Sequence, residues 1–430
     1  MNENIFRKNL NKIRKVLKFA IDNPYSDFYR KKYKNSPVNL KEINSYEDFR
    51  KIPFLNKDEI LAIPLKERTF VPEEEIARFS FSSGTTDNDN PLIIPWTSTM
   101  SPDKDHYRRL EQSGISRIFI LLPPSLGLLP PVDPKEQSIF IPGDVANLSM
   151  SARLCKELGV QSIKSTPTIL YFFLKYLEEV AFDRSSVKSI SLIGEYCTSQ
   201  KLDFFKKKFP EARIMLKYGV SEAGGIIGVR IGCLADAPPN YYHLKGDNKL
   251  FLEFINDAGE VLSEGEVGEI VVTSLKKQAF PLIRYKLADV AHIKEKKCTC
   301  GRPVMVLGGR RNYDVFKFHG VTIYTGLIEE ALVQVMNFLE PQFQMHVYEK
   351  ITGNKLAPKL KLQLKLKEGQ SETDFVRNLI IESVSENLLL SPDKTLDYFV
   401  KSGIFLPLEI EFVQDWPQGA KSKNIISHLK

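Results

Sequence analysis

The chain has 430 residues, 43% hydrophobic and 26% charged, enough to bury a substantial core. At about 100–200 residues per domain, that length fits two or three domains. The formal net charge is +7 with both signs well mixed, which suits phosphate-rich ligands; without a basic, aromatic-rich stripe it argues against a nucleic-acid binder.

The start, MNENIFRKNLNKIRKVLKFA, spaces its apolar residues as an amphipathic helix and has no apolar run of the signal-peptide kind. Residues 1–75 read as helical pieces broken at Pro24, Pro37, Pro53 and Pro64. From Ile76 to about Lys217, short apolar runs (RIFILL, SIFIPG, VKSISLIG, ARIMLKYG) alternate with helical patterns (SARLCKELG, TILYFFLKYLEEV, KLDFFKKKF). Strand and helix in alternation predict layered α/β structure with a largely parallel sheet. The apolar stretch Ile118 to Val132 is interrupted by four prolines and falls short of the roughly 20 residues of a membrane span. No membrane segment and a cytoplasmic location are expected.

Between Lys245 and Ile293, KLFLEFIN, GEIVVTSL and ADVAHI predict antiparallel strands joined by Gly-containing turns. The last 110 or so residues read as a separate α+β unit. LKLQLKLK (Leu360–Lys367) alternates strictly, as a half-buried strand with its lysines in water; Glu372 to Leu390 is helical; LEIEFV is another strand.

An odd count of five cysteines argues against a disulfide framework. Cys298-Thr299-Cys300 has the form of a metal knuckle, and Cys233 and His243 supply two more soft ligands ten residues apart. Cys₃His is a recognised set for structural zinc; ordinary reduced cysteines are the other reading.

In FSFSSGTTDNDNPLIIPWT an apolar strand runs into Ser82-Ser83-Gly84-Thr85-Thr86. Five small residues let backbone N–H groups and hydroxyls wrap an anion, although the Walker A spacing is absent. Alone, the segment reads equally as a polar turn. Three further segments follow in order: SLIGEYCTSQ (Ser191–Gln200), KYGVSEAGG (Lys217–Gly225) and PLIRYKLADVAHI (Pro281–Ile293).

Together these segments closely resemble the motifs of the acyl-adenylate-forming superfamily, and most of all its phenylacetate–CoA ligase branch. The resemblance covers residues 79–320. It implies that Ser82, Ser83, Gly84, Thr85 and Thr86 hold the β- and γ-phosphates of ATP. Asp87 departs from the usual glycine, and no lysine follows Pro91. It further implies that Gly194, Glu195 and Tyr196 line the adenine and that Tyr218, beside Gly219, packs on it. Ser221 would meet the α-phosphate, Glu222 would contact Mg²⁺, and Asp289 would accept from both ribose hydroxyls. Arg284 is open to a structural ion pair instead. Relatives in that branch carry similarly placed cysteines and histidine, in keeping with Zn²⁺ on Cys233, His243, Cys298 and Cys300.

GGRRNYDVFKFHG resembles the family's hinge, with Arg311 or Arg310 as the motif arginine according to register, and Tyr313 in place of the hinge aspartate. The implied organisation is a large ATP- and acid-binding domain, 1–311, carrying layered α/β subdomains and a small antiparallel barrel-like part. A mobile α+β lid, 312–430, would follow. The lid's lysine would be Lys423, six residues after Pro417, with Lys421 as the alternative and Ser422 replacing a glycine. Lys164–Val180 resembles the helix bordering the acid pocket, where Thr166, Pro167 and Tyr171 face substrate or belong to the core.

The expected activity is activation of a carboxylic acid by ATP, with release of pyrophosphate, then transfer to a thiol of coenzyme A. A carrier-protein thiol, an amine or a protein cysteine is the alternative acceptor. A nucleotide-binding relative with impaired catalysis is the alternative outside the enzyme class. A homodimer is compatible with either.

Overall fold

The computed structural model describes residues 2–81, 92–97, 110–123, 138–194, 197, 199–245, 249–294, 297–310, 315–318, 321–352, 355–391, 394–416 and 424–428. The chain forms two compact units. One comprises Met1–Cys197, Lys201–Leu287 and Ala291–Leu307. The other comprises Gly308–Lys430 with the short pieces Thr198–Gln200 and Ala288–Val290. No helix among the described residues is long and apolar enough to cross a membrane.

In the larger unit, α1 (Asn2–Ile21) buries Phe6, Ile13, Val16, Leu17 and Ala20, the helical spacing read from the sequence. Short helices α2 (Phe28–Lys32), α3 (Tyr46–Arg50) and α4 (Lys57–Leu61) follow. Ser45 caps α3 by accepting from Asp48 N–H, and Asn56 with Glu59 forms a capping box on α4. The hairpin β1 (Ile76–Phe81) and β2 (Ile93–Thr97) stands as a two-stranded sheet.

The centre is an eleven-stranded sheet built from β3 (Arg117–Leu121), β4 (Ile139–Pro142), β5 (Ser162–Ser165), β6 (Ser189–Ile193), β7 (Arg213–Val220), β8 (Gly225–Arg230), β9 (Tyr241–Leu244), β10 (Leu250–Ile255), β11 (Gly268–Ser274), β12 (Tyr285–Ile293) and β13 (Val304–Arg310). Its order is β10-β11-β12-β13-β9-β8-β7-β6-β5-β3-β4. Strands β3 to β7 pair in parallel. Their crossovers are α5 (Leu148–Glu157), α6 (Pro167–Glu179) and α7 (Ser199–Lys208). All three helices contribute to the core cluster that contains Phe119, Leu121, Ile163, Ile190, Leu192 and Leu216, which marks one face of the sheet as helix-covered. The antiparallel part expected after Lys245 joins the same run of strands. Register is tight in β10 and β11, with Leu252 opposite Val272 and Phe254 opposite Ile270.

The smaller unit begins with the hairpin β14 (Val315–Phe318) and β15 (Val321–Tyr324), then α8 (Thr325–Ala331). The long strands β16 (Leu339–Thr352) and β17 (Lys355–Leu366) pair antiparallel. Helix α9 (Asp374–Asn387) is capped by Thr373. The short pair β18 (Leu389–Ser391) and β19 (Lys394–Thr395) leads into α10 (Leu396–Lys401). Strands β20 (Glu409–Phe412) and β21 (Ile425–Ser427) flank the hairpin to give the order β20-β17-β16-β21. The alternation read in LKLQLKLK holds. Leu360, Leu362 and Leu364 are buried, while Lys361 and Lys365 turn outward to Glu411 (2.6 Å) and Asp415 (3.1 Å).

Candidate active site

The parallel strands set the stage, because loops that follow their carboxyl ends are where ligands bind in such sheets. After β5 comes Thr166, whose hydroxyl accepts from Ile169 N–H at 3.2 Å and so caps α6, with Pro167 at its first turn. Thr166 and Pro167 are buried, and Tyr171 packs its ring 5.5 Å from that of Phe204. The capping hydroxyl and the packed ring give Thr166 and Tyr171 structural work in addition to any contact with substrate.

After β6 comes Gly194 at φ +89°, a backbone conformation that a side chain would strain. Glu195 and Tyr196 lie outside the described residues.

Strand β7 ends in a tight turn, residues 221–224, into the antiparallel β8. The turn's glycines are required by close approach. A Cβ on Gly219 would meet the Gly225 carbonyl oxygen at 2.6 Å, and one on Gly224, at φ +66°, would meet the Trp96 ring at 2.2 Å. Trp96, on β2, donates its indole N–H to the Ser80 hydroxyl at 2.6 Å. That leaves the Ser80 proton to reach the Ser221 carbonyl, at 3.5 Å. Two segments more than a hundred residues apart are thereby joined: the strand that feeds Ser82 and the turn that carries Glu222. Trp96 and Ser80 carried no functional signal in the sequence beyond their closeness to the serine-rich loop.

Within this turn Glu222 is 8% exposed, and no hydrogen bond or ion pair to it is found among the described residues. A buried carboxylate is costly unless a cation or donors face it. The donor set suits a hard cation, which takes carboxylate oxygen together with phosphate oxygens. Tyr218, 8% exposed, stands with its ring 6.1 Å from that of Tyr242.

On β12, Asp289 is buried. It follows Ala288 at φ +61°, a left-handed conformation that only local structure can impose on alanine. The inside–outside alternation of β12 breaks there, with Asp289, Val290 and Ala291 all buried. Arg284 is a buried ion-pair partner of Glu253 at 3.1 Å, the structural alternative left open by the sequence. Ser82, Ser83, Gly84, Thr85, Thr86, Asp87, Arg311, Tyr313, Lys421, Ser422 and Lys423 lie outside the described residues. Arg310 ends β13, its side chain also outside them.

A second cluster lies on neighbouring elements. Cys233 sits in a short 3₁₀ turn, His243 on β9, and Cys298 and Cys300 in the turn before β13. Strand pairing places His243 opposite Val304, which draws the two cysteine segments together. Their four ligand atoms all lie within 4.8 Å of one another. Metal–ligand bonds of about 2.0–2.3 Å in a tetrahedron put ligand atoms roughly 3.3–3.8 Å apart, so the cluster fits with small adjustment. His243 Nδ1 is 3.3 Å from the Pro303 carbonyl, to which it donates, leaving Nε2 free of a proton, 3.1 Å from Cys233 Sγ. The Arg302 guanidinium beside Cys300, Nε to Sγ 3.3 Å, brings that thiol down to about 6. The Cys233 thiol, titrating alongside it, is raised, chiefly by desolvation.

Residues 136–276 match the AMP-binding enzyme family. Among curated proteins, the phenylacetate–coenzyme A ligase of Pseudomonas putida is 24% identical over 88% of this chain and 86% of its own length. The protein of the same name from Thermus thermophilus is 26% identical over 74% of this chain and 73% of its own. Among solved structures, 2-hydroxyisobutyryl-CoA ligase in the postadenylation state, in complex with 2-HIB-AMP, gives a TM-score of 0.75 at 16% identity, covering 98% of this chain and 89% of that one. That last likeness shows the fold. The match over residues 136–276 and the curated relatives support the acyl-adenylate-forming superfamily. Within it, the four curated relatives make the chain similar to the phenylacetate–coenzyme A ligase branch.

Proposed function

We propose that this protein is an AMP-forming acid–coenzyme A ligase. The carboxylate of the acid attacks the α-phosphorus of ATP, pyrophosphate leaves, and an acyl-adenylate forms. The thiol of coenzyme A then attacks the acyl carbon, losing its proton, and AMP leaves. The observation that carries the reading is Glu222: a buried carboxylate with no protein partner among the described residues, on a turn tied through Ser80 and Trp96 to the strand that feeds Ser82–Thr86.

The barrier in the first step is repulsion between anions. Bound Mg²⁺ would supply neutralisation of the triphosphate charge, and Glu222 would hold it. The chain's own contribution is placement. Ser82, Ser83, Gly84, Thr85 and Thr86 would wrap the outer phosphates, and Ser221 would donate to the α-phosphate. Tyr218, with Gly194, Glu195 and Tyr196, would bound the adenine, and Asp289 would accept from the ribose hydroxyls. Arg310 or Arg311 and Lys423 would offset phosphate charge. Residues 312–430 would act as the lid whose movement separates the two steps. Thr166, Pro167 and Tyr171 would border the acid.

The four-ligand cluster of Cys233, His243, Cys298 and Cys300 would hold a structural zinc ion, since four protein ligands leave no open position. Free thiols beside a zinc site suit the reducing cytoplasm. A carrier-protein thiol is the competing acceptor.

ATP–pyrophosphate exchange across a library of carboxylic acids, followed by coenzyme A thioester formation, tests the reading. Exchange with at least one acid is expected, and Glu222→Gln should lower it by about 10²–10³. Near-normal exchange in that variant removes Glu222 from its role. No exchange with any acid removes the ligase reading itself.

A further inference from the structure

Strand β9 serves two places at once. Successive residues of a strand point to opposite faces. His243 turns to one side of the sheet, where it meets Cys233, Cys298 and Cys300, and Tyr242 turns to the other. On that side Tyr242 lies over Gly228, where a Cβ would meet Tyr242 Cβ at 2.8 Å. Gly228 stands opposite Tyr218, and the Tyr242 and Tyr218 rings are 6.1 Å apart. The strand that gives the cluster its histidine therefore also gives Tyr218, the tyrosine of the nucleotide motif, its aromatic neighbour.

Arg230, the last residue of β8, joins the same two places by a second route. It stands opposite Leu216, two residues before Tyr218, and so shares that tyrosine's face. It is buried, and its Nη2 donates to the carbonyls of Ala235 at 2.9 Å and Ala237 at 2.8 Å, just after the turn that carries Cys233. Burial lowers its pKa, and among its neighbours Tyr242 and then Cys197 oppose that most. Cys197 follows the Gly194–Tyr196 segment and lies in one core cluster with Tyr218 and Tyr242. Its Nε has no acceptor among the described residues. A buried charge is costly, and an apolar side chain of similar volume would pack as well or better. What the guanidinium adds is a tie from the Cys233 turn to the nucleotide face.

We propose that the cysteine–histidine cluster sets the affinity for ATP, with Arg230 as the positioning residue that carries the effect. The inference rests on the ligase reading above and adds a control of its nucleotide site. A zinc ion fixes the Cys233 turn and His243 against Cys298 and Cys300. Arg230, bonded to the carbonyls after that turn, and Tyr242, next to His243 in the chain, are fixed with them. Without the ion the exposed Cys233 turn is released, and both supports of the Tyr218 side loosen. Coupling of this kind runs through contiguous hydrogen bonds and packed side chains, and each link here is such a contact. Linkage makes it reciprocal: the factor by which zinc tightens nucleotide binding is the factor by which nucleotide tightens zinc binding.

The test measures both sides of that linkage. Zinc-loaded and metal-free protein are titrated with Mg²⁺ and α,β-methylene ATP, which cannot lose pyrophosphate. In parallel, a chromogenic chelator competes for the zinc at equilibrium, with and without that nucleotide. Zinc is expected to tighten nucleotide binding by about 5- to 150-fold, the ordinary span of such couplings, and nucleotide to tighten zinc binding by the same factor. Arg230→Met should bring both factors close to one while still binding zinc and nucleotide. Arg230→Lys should restore part of the effect, since an ammonium can still donate to a carbonyl. Equal nucleotide affinity with and without zinc overturns the inference. Should metal-free protein unfold, nucleotide would favour zinc retention merely by binding the folded state. Arg230→Met then decides: a factor equal to that of wild type overturns the inference, and a smaller one supports it. Should Arg230→Met fail to fold, Tyr242→Leu takes its place with the same two outcomes. Protein that takes up no zinc overturns the inference and leaves the ligase reading standing. Zinc-loaded protein that binds no nucleotide overturns both.

Discussion

Arg284 and Glu253 form a bidentate ion pair inside the larger unit, Nε to Oε2 at 3.1 Å and Nη2 to Oε1 at 3.2 Å, with both side chains almost wholly buried. Arg284 Nη1 donates to the Arg50 and Ile52 carbonyls, the latter at 2.6 Å, and the guanidinium stacks 4.1 Å from the Phe54 ring centroid. One side chain thus ties the segment after α3 to β10 and to the start of β12. Burial pushes the Glu253 carboxyl up, and Arg284 alongside opposes that. Removing the arginine strands a buried carboxylate, a change that costs about 3–5 kcal/mol. Arg284→Met is expected to lose that much in chemical denaturation, and Arg284→Lys to recover only part, because an ammonium cannot make the two-pronged contact. A loss below about 1 kcal/mol in Arg284→Met would show the pair to be incidental.

For the cysteine–histidine cluster, metal analysis of purified protein is expected to find about one zinc per chain. Cys298→Ser should lower that occupancy and, since metal binding is coupled to folding, lower stability with it. A chelator should do the same to the wild type. Metal-free protein that melts where the metallated form does would dismiss the site.

His346 on β16 and His428, just past β21, are linked Nδ1 to Nε2 at 2.8 Å, and His346 Nε2 lies 2.9 Å from Gln363 Oε1. Gln363 gives its own N–H to Glu411 at 3.0 Å, so its oxygen accepts from His346 Nε2. His346 Nδ1 must then accept from His428. The groups facing His346 are His428, Lys361, Glu411 and Tyr348. Burial lowers the pKa of His346 below its ordinary value, with Lys361 and His428 adding to that and Gln363 and Glu411 opposing it. The unfolded state therefore binds a proton that the folded state refuses. This contribution to stability is complete above the unfolded value of about 6.5 and declines as pH falls below it. Melting temperature of the wild type should drop between about pH 7 and 5, and His346→Gln should flatten that dependence. Parallel curves for the two proteins would reject the link.

Lys423 precedes Asn424, whose carbonyl accepts from Met345 N–H at 2.7 Å as the chain enters β21. If Lys423 serves adenylation alone, Lys423→Ala should abolish most pyrophosphate exchange, by about 10²–10³. The variant should still make thioester from prepared acyl-adenylate and coenzyme A. Lys421→Ala is the control, and the reverse pattern moves the role two residues upstream. Full exchange in both variants would mark the tail as solvated surface.

The sequence by itself determined the elements whose evidence is local. Period-two spacing in LKLQLKLK settled which side of β17 is buried, and helical spacing in the first twenty residues settled the face of α1, because backbone geometry maps sequence interval directly onto direction. The helical pattern TILYFFLKYLEEV marked the body of α6, whereas the Thr166 cap and the place of Pro167 in the first turn came from the structure. The proposed site motifs were legible through their resemblance, in residue type and order, to those of a known family. Tertiary structure decided the rest. Cys233 and His243 meet Cys298 and Cys300 only because β9 pairs with β13 in one register. Ser80 reaches Ser221 only because β1 and β2 bring Trp96 over Gly224. Ala288 turns left-handed before Asp289, and Arg284 finds Glu253 rather than a ligand. Lys217 had read as one more residue of a motif until the sheet assigned it a face and a neighbour on β6. Such contacts depend on strand register and on packing across many residues, and a local pattern encodes neither, because its period fixes a direction in space but not what will be met there.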